Sequence, residues 1–181
     1  MQSKRRLTRC NTASLLQSRL TGLRSVLSWL SLILLAWAVR PLHGQVVRIP
    51  LPNSNFPISQ GVWVDRTLYL SGMLDPSVGK GVKADTKTQT ENALLAIQKV
   101  LAVQKLALGD VVMMHVYLAG DPANDGKMDF AGFMESYTKF FGTKEQPNKP
   151  ARSAMQVKAL AAPDALVEIE VIAVRPRQAK H

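Results

Sequence analysis

Few polar side chains fall where a strand pattern asks for apolar ones, and those few are where chemistry is to be sought. Glu168 and Glu170 stand at i, i+2 in Val167-Glu168-Ile169-Glu170-Val171-Ile172, so an extended chain turns both carboxylates to one side. Arg152 follows Pro150-Ala151 at the opening of the preceding strand-like stretch. A guanidinium fork binds a carboxylate through two parallel hydrogen bonds, and a glutamate nearby can orient a water. An arginine and a glutamate at a protein interface therefore suit a small carboxylate ligand. The same two residue types also make an ordinary structural ion pair, with either Glu168 or Glu170, and spacing leaves both readings open. If the last two strands pair antiparallel through a turn at 161–165, Arg152 lies toward the far end of that ladder. Whether it reaches Glu168 is then not given by spacing.

The other candidates are weaker. His115 is the one histidine between residues 45 and 180, and between Met114 and Val116 it reads as a hydrogen-bonded core or interface residue. No second His, Asp or Glu stands at metal-ligand spacing from it, so no metal site is expected. Ser71-Gly72 closes a strand whose backbone could approach a ligand, although an ordinary strand end looks the same. No G-x-S-x-G, Walker or G-x-G-x-x-G motif occurs, and Gly79-Lys80-Gly81 is too short to cradle a phosphate.

The elements that must hold these residues follow from periodicity. Val46–Ile49 reads as a short strand, and Gly61–Asp65 with Thr67–Gly72 as a hairpin about Asp65-Arg66. Thr88-Gln89-Thr90-Glu91 matches a capping box, with Asp85 as an earlier N-cap. It opens a helix whose stripe runs Ala93, Leu94, Ile97, Val100, Leu101 and Leu108, ended by Gly109-Asp110. Val111–Leu118 is apolar enough for a strand covered on both faces. Residues 127–141 predict a second amphipathic helix with Phe130, Phe133, Met134, Tyr137, Phe140 and Phe141 inward. Ala151–Leu160 and Leu166–Val174 are the last two strands, joined through Ala162-Pro163-Asp164. The order β-β-β-α-β-α-β-β implies an α+β domain, two helices on one face of one sheet. The other face stays partly apolar, and self-association is the simplest cover for it.

The chain of 181 residues carries a formal charge of +10, but the excess is local. Residues 1–44 hold seven Lys and Arg and no Asp or Glu, whereas residues 45–181 hold sixteen basic against thirteen acidic side chains. A near-neutral body gives no support to nucleic-acid binding. The basic N-terminal stretch precedes an apolar run over residues 26–39, with Ala36-Trp37-Ala38 as a cleavage-like site and Leu42-His43-Gly44 as a looser one. About 20 residues are needed to span a bilayer as a helix, so residues 1–44 read as a signal peptide for export to a periplasm or the exterior. The alternative is an uncleaved N-terminal anchor through 26–39. The lone Cys10 lies in this segment, so the domain over 45–176 is expected to be free of thiols. Residues 177–181 read as a frayed tail.

Pro150-Ala151-Arg152-Ser153-Ala154-Met155-Gln156-Val157, followed by Val167-Glu168-Ile169-Glu170-Val171, closely resembles the signature of the Rid (reactive intermediate deaminase) family. Pro57-Ile58-Ser59-Gln60-Gly61, Leu70-Ser71-Gly72-Met73, Thr90-Glu91-Asn92 and Phe130 to Phe141 agree with it, so the likeness runs from about Val47 to Val174. The resemblance implies a two-layer chorismate-mutase-like fold with a mixed sheet, assembled as a homotrimer with a ligand site in each subunit interface. It implies hydrolysis of enamines and imines to 2-oxo acids and ammonia, without metal or organic cofactor. By the same resemblance Arg152 binds the substrate carboxylate and Glu168 positions the attacking water. Ser71 and the backbone near Ala154 complete the pocket.

Three positions depart from the deaminase-active pattern: Ile58 replaces a tyrosine, Met134 an asparagine and Ala154 a cysteine. The pocket walls become more apolar while arginine and glutamate persist, which implies a changed or larger substrate. A trimeric binder that holds a small carboxylate without turnover is the alternative. Endoribonuclease activity, also attached to parts of the family, is the least supported reading because the body is near neutral.

Overall fold

The computed structural model describes residues 44–177. Apart from Gly44, the segment read as an export signal or anchor lies outside them, as do Cys10 and residues 178–181 of the tail. Among the described residues no helix is long and apolar enough to cross a membrane.

The chain first makes a meander of β1 (Val46–Pro50), β2 (Ser59–Val64) and β3 (Thr67–Met73). Its tight turn uses Asp65 in the left-handed region at φ 53°, a conformation that aspartate tolerates better than most residues. Helix α1 (Thr86–Val103), β4 (Val111–Ala119), helix α2 (Phe130–Tyr137), β5 (Ala151–Val157) and β6 (Val167–Val174) follow. The six strands form one mixed sheet in the order β1-β2-β3-β6-β4-β5, with only the β4–β5 pair parallel. Both helices cover one face, so the expected two-layer α+β architecture is what the chain adopts.

Helix α1 opens at Asp85, whose carboxylate accepts from the Thr88 N–H at 2.8 Å; the earlier cap wins over the Thr88–Glu91 box. Ala93, Leu94, Ile97 and Leu101 are fully buried along its inner stripe. The helix stops earlier than the stripe suggested. Lys105 turns left-handed at φ 59°, and the Lys105 and Leu106 N–H groups fold back onto the Ala102 and Leu101 carbonyls, a Schellman-type closure. Leu108 is therefore buried from a short 3-10 turn rather than from the helix. Helix α2 is also shorter than expected. Asp129 caps it by accepting from the Gly132 N–H at 2.8 Å, and it ends at Tyr137. Phe133, Tyr137 and Phe141 are buried, but Phe130 is 40 % exposed at the margin rather than inward.

The largest difference is topological. β5 and β6 do not pair. β6 lies between β3 and β4, and β5 runs parallel to β4 on its far side. The side chains explain the placement. Every second residue of β6, from Val167 through Ile169 and Val171 to Ala173, is buried, which suits a central strand. β5 follows Pro150 and buries no residue completely, which suits an edge. β4, expected to be covered on both sides, buries Met114, Val116 and Leu118 beneath the helices. It leaves His115 and Tyr117 half-buried on the other face.

Candidate active site

Arg152 stands level with the buried Met114 across the β4–β5 ladder and so points to the helix side of the sheet. There α2 and the turn that follows it present a ridge of rings, Phe130, Phe133 and Tyr137 from the helix and Phe141 from just beyond it, with successive centroids 5.9, 5.6 and 5.0 Å apart. The Arg152 guanidinium carbon lies 4.4 Å from the Tyr137 centroid, 5.1 Å from Phe133 and 5.8 Å from Phe130. These are distances at which ring quadrupoles attract a cation. Its Nη1 donates to the Met134 sulfur at 3.1 Å. Among the described residues no carboxylate forms an ion pair with it. The rings hold the charge in place without neutralising it, and the free edge of the fork remains for an anion. Burial pushes the Tyr137 phenol above its usual range, and the Arg152 charge opposes that shift.

Glu168 stands level with Tyr117 across the β4–β6 ladder and alternates with the buried Val167 and Ile169. It points to the face away from the helices, as does Glu170, which confirms the shared side that their spacing implied. Burial, reinforced by the Glu170 charge, raises the Glu168 carboxyl above the usual glutamate range. Glu170 accepts a hydrogen bond from the Tyr117 hydroxyl at 3.0 Å and lies 3.6 Å from His115 Nδ1. That bond, then desolvation and the two nearby carboxylates, raise the Tyr117 phenol. His115 is thus a partnered residue of the open face. The Ser71 hydroxyl donates to the Ser59 carbonyl at 2.7 Å, beside Ile58. Val62, Tyr69, Ser71, His115, Glu170 and Ile172 line one shallow depression there.

The six sequence candidates therefore fall into two groups. Arg152, Ala154 and Met134 gather on the helix side at the β5 edge, with Ala154 level with the buried Val116. Glu168 and Ser71 lie on the open face, and Ile58 is half-exposed just before β2. Within one chain Arg152 and Glu168 neither pair nor share a face, so the structural ion-pair reading with Glu168 or Glu170 does not hold. Two parts of the site escaped the sequence. Phe133 and Tyr137 read as plain core, yet they are the platform under Arg152. Tyr117 stands two residues from His115 in a strand, and that spacing alone would have placed it on the same face.

The fold and the paired motifs define a class. Residues 50–175 match the family described as Endoribonuclease L-PSP, and the chain belongs to this family, the one that the Rid resemblance indicated. A RutC family protein of Pyrococcus horikoshii is 36% identical over 124 residues, 67% of this chain and 90% of that protein. The Mus musculus protein named 2-iminobutanoate/2-iminopropanoate deaminase is 38% identical over 126 residues, 68% of this chain and 85% of that one. Among solved structures, E. coli TdcF with bound serine superposes with a TM-score of 0.57 at 31% identity, over 69% of this chain and 93% of that one.

Proposed function

We propose that this protein hydrolyses a reactive enamine or imine carrying a carboxylate, giving a 2-oxo acid and ammonia. In this reading it acts as a homotrimer in which Arg152 of one copy faces Glu168 of the next. The observation that carries the reading is the pair of half-sites. A caged guanidinium without a counter-charge stands on one side of the sheet, and a half-buried carboxyl with raised proton affinity on the other. Each lacks what the other supplies, and a neighbouring copy covering the open face would bring them together. The deaminase name of the mouse relative supports the reaction class. The serine bound to TdcF supports a ligand with a carboxylate.

In the proposed step Arg152 holds the substrate carboxylate. Ionised Glu168 takes a proton from water as its oxygen bonds to the imine carbon, and passes that proton to the C=N nitrogen. The tetrahedral carbinolamine then collapses: the hydroxyl proton is carried by Glu168 to the amino nitrogen, C=O forms, and the C–N bond breaks to release ammonia. Only water is consumed. The test is ammonia release from 2-iminopropanoate generated in situ by an amino-acid oxidase. The wild-type rate should exceed buffer, and Arg152→Ala and Glu168→Ala should each abolish the excess. A wild-type rate equal to buffer would reject the hydrolase.

One observation favours a second reading, a non-catalytic carboxylate binder. The Met134 thioether occupies one guanidinium nitrogen and offers no hydrogen to a substrate. Thermal stabilisation by 2-oxo acids without turnover would support that reading. The segment 26–39 further supports export, or anchoring, as the setting in which either activity would operate.

A further inference from the structure

We infer that Gly72 is the positioning residue that seats the Glu168 carboxylate, and that glycine stands there for room rather than for backbone conformation. The β3–β6 ladder slips between Leu70, opposite Val171, and Met73, opposite Ile169. Ser71 and Gly72 thus share a single partner position, a bulge. A Cβ placed on Gly72 would lie 1.7 Å from Glu168 Oε1, 2.6 Å from its Cδ and 2.8 Å from its Cγ. Its three nearest atoms all belong to this one side chain. Glycine is often kept because φ is positive. Among the described residues the positive-φ glycines are Gly79, Gly81, Gly126 and Gly142, and Gly72 is not among them. Its φ lies outside the left-handed region, and the nearest obstacle to a side chain there is Glu168.

The carboxylate is therefore folded flat against the β3 backbone, in space that any Cβ would fill. A methyl group at position 72 collides first with the Glu168 side chain, from its carboxylate back to Cγ, and the three atoms nearest to it include no backbone. It evicts the carboxylate and leaves the strands in place. Evicted toward solvent, Glu168 loses the desolvation that raises its proton affinity and its aim at the proposed water. The consequence for turnover rests on the hydrolase reading; the steric seat does not.

The experiment uses the full chain with Gly72→Ala, Glu168→Ala and the double variant. It measures thermal unfolding, the ¹³C carboxyl titration of Glu168, and ammonia release from 2-iminopropanoate. Gly72→Ala should lower the Glu168 titration midpoint toward that of an ordinary glutamate and slow hydrolysis about 10- to 100-fold. In the Glu168→Ala background the same substitution should produce no further loss of rate and no fall in Tm, since the three atoms nearest to the methyl are then gone. An unchanged Glu168 titration would overturn the proposal. So would a Tm loss of equal size with and without the glutamate side chain. If Gly72→Ala fails to fold while the double variant folds, the seat is upheld; if neither folds, it is overturned. A wild type without imine turnover rejects the hydrolase, and the titration and the Tm cycle still decide the seat.

Discussion

The Arg152 guanidinium carbon rests 4.4 Å from the centroid of the Tyr137 ring, with the Met134 sulfur 3.1 Å from Nη1. A flat cation on a flat ring keeps its fork in one plane, and the fork is what grips a carboxylate bidentately. Arg152→Lys retains the charge but replaces the fork with a point donor. It should lower kcat/KM for an imino acid by about tenfold or more, taking charge-assisted hydrogen bonds at roughly 1.5–3 kcal/mol each. Steady-state kinetics of the two forms at equal Tm would check this, and equal kcat/KM would refute the fork.

The platform itself separates ring from hydroxyl. Tyr137→Phe keeps the face under Arg152 and should leave Tm and KM close to wild type. Tyr137→Ala removes a buried ring and should cost about 3–5 kcal/mol of stability, as ring truncations in cores do. It should also raise KM as the guanidinium loses its rest. Chemical denaturation and KM for the two variants make the comparison, and a raised KM in Tyr137→Phe would mean that the hydroxyl matters.

In the proposed step Glu168 sets the pH dependence. As a base it must be ionised, and burial with the Glu170 charge raises its pKa, so activity should fall on the acid side at a pH above the usual glutamate range. Glu170→Gln removes the like charge, and the acid limb of kcat/KM should move to lower pH. A limb that stays in place would exclude Glu168 as the titrating base.

The same shift has a sign for stability. A carboxyl whose folded pKa lies above its unfolded value favours the folded state below the unfolded pKa, and that contribution is lost as pH rises through the folded pKa. Wild type therefore carries a penalty at neutral pH. Glu168→Gln should raise Tm at pH 7 and give a smaller gain at pH 4, measured by calorimetry, while activity is lost. A gain that is the same at both pH values would contradict the shift.

Met134 tests the departure from the deaminase-active pattern. Met134→Asn replaces a thioether beside Arg152 with an amide that can donate and accept. It should raise turnover of small imino acids relative to those with long apolar side chains. Competition between 2-iminopropanoate and a branched-chain imino acid measures the ratio, and an unchanged ratio would place specificity elsewhere.

Much of the fold was legible because local rules decide it. The hairpin about Asp65-Arg66, the stripe Ala93-Leu94-Ile97-Leu101 beneath the Asp85 cap, and the shared side of Glu168 and Glu170 all follow from period, caps and turn chemistry. Lys105 in the left-handed region and the early end of α2 at Tyr137 were not legible, since neither helix end is marked by a glycine or a proline. The Gly72 seat was invisible for another reason. The motif Leu70-Ser71-Gly72 says nothing of which distant side chain will lie on the glycine.

Residue types and spacing singled out Arg152 and Glu168 as candidates, because few other polar groups interrupt apolar strand positions, and the Rid-like motif around them supplied the roles expected of them. Their relation to one another was decided by the sheet. Hydrogen bonding between strands is not encoded in the order of strands along the chain, and the insertion of β6 beside β3 separated two elements that neighbour each other in sequence. The register of β4 against each partner then fixed the faces, setting Arg152 level with the buried Met114 and Glu168 level with the half-buried Tyr117. Side chains alternate across a strand. A pairing choice of this kind turns a candidate ion pair into two residues on opposite sides of one sheet.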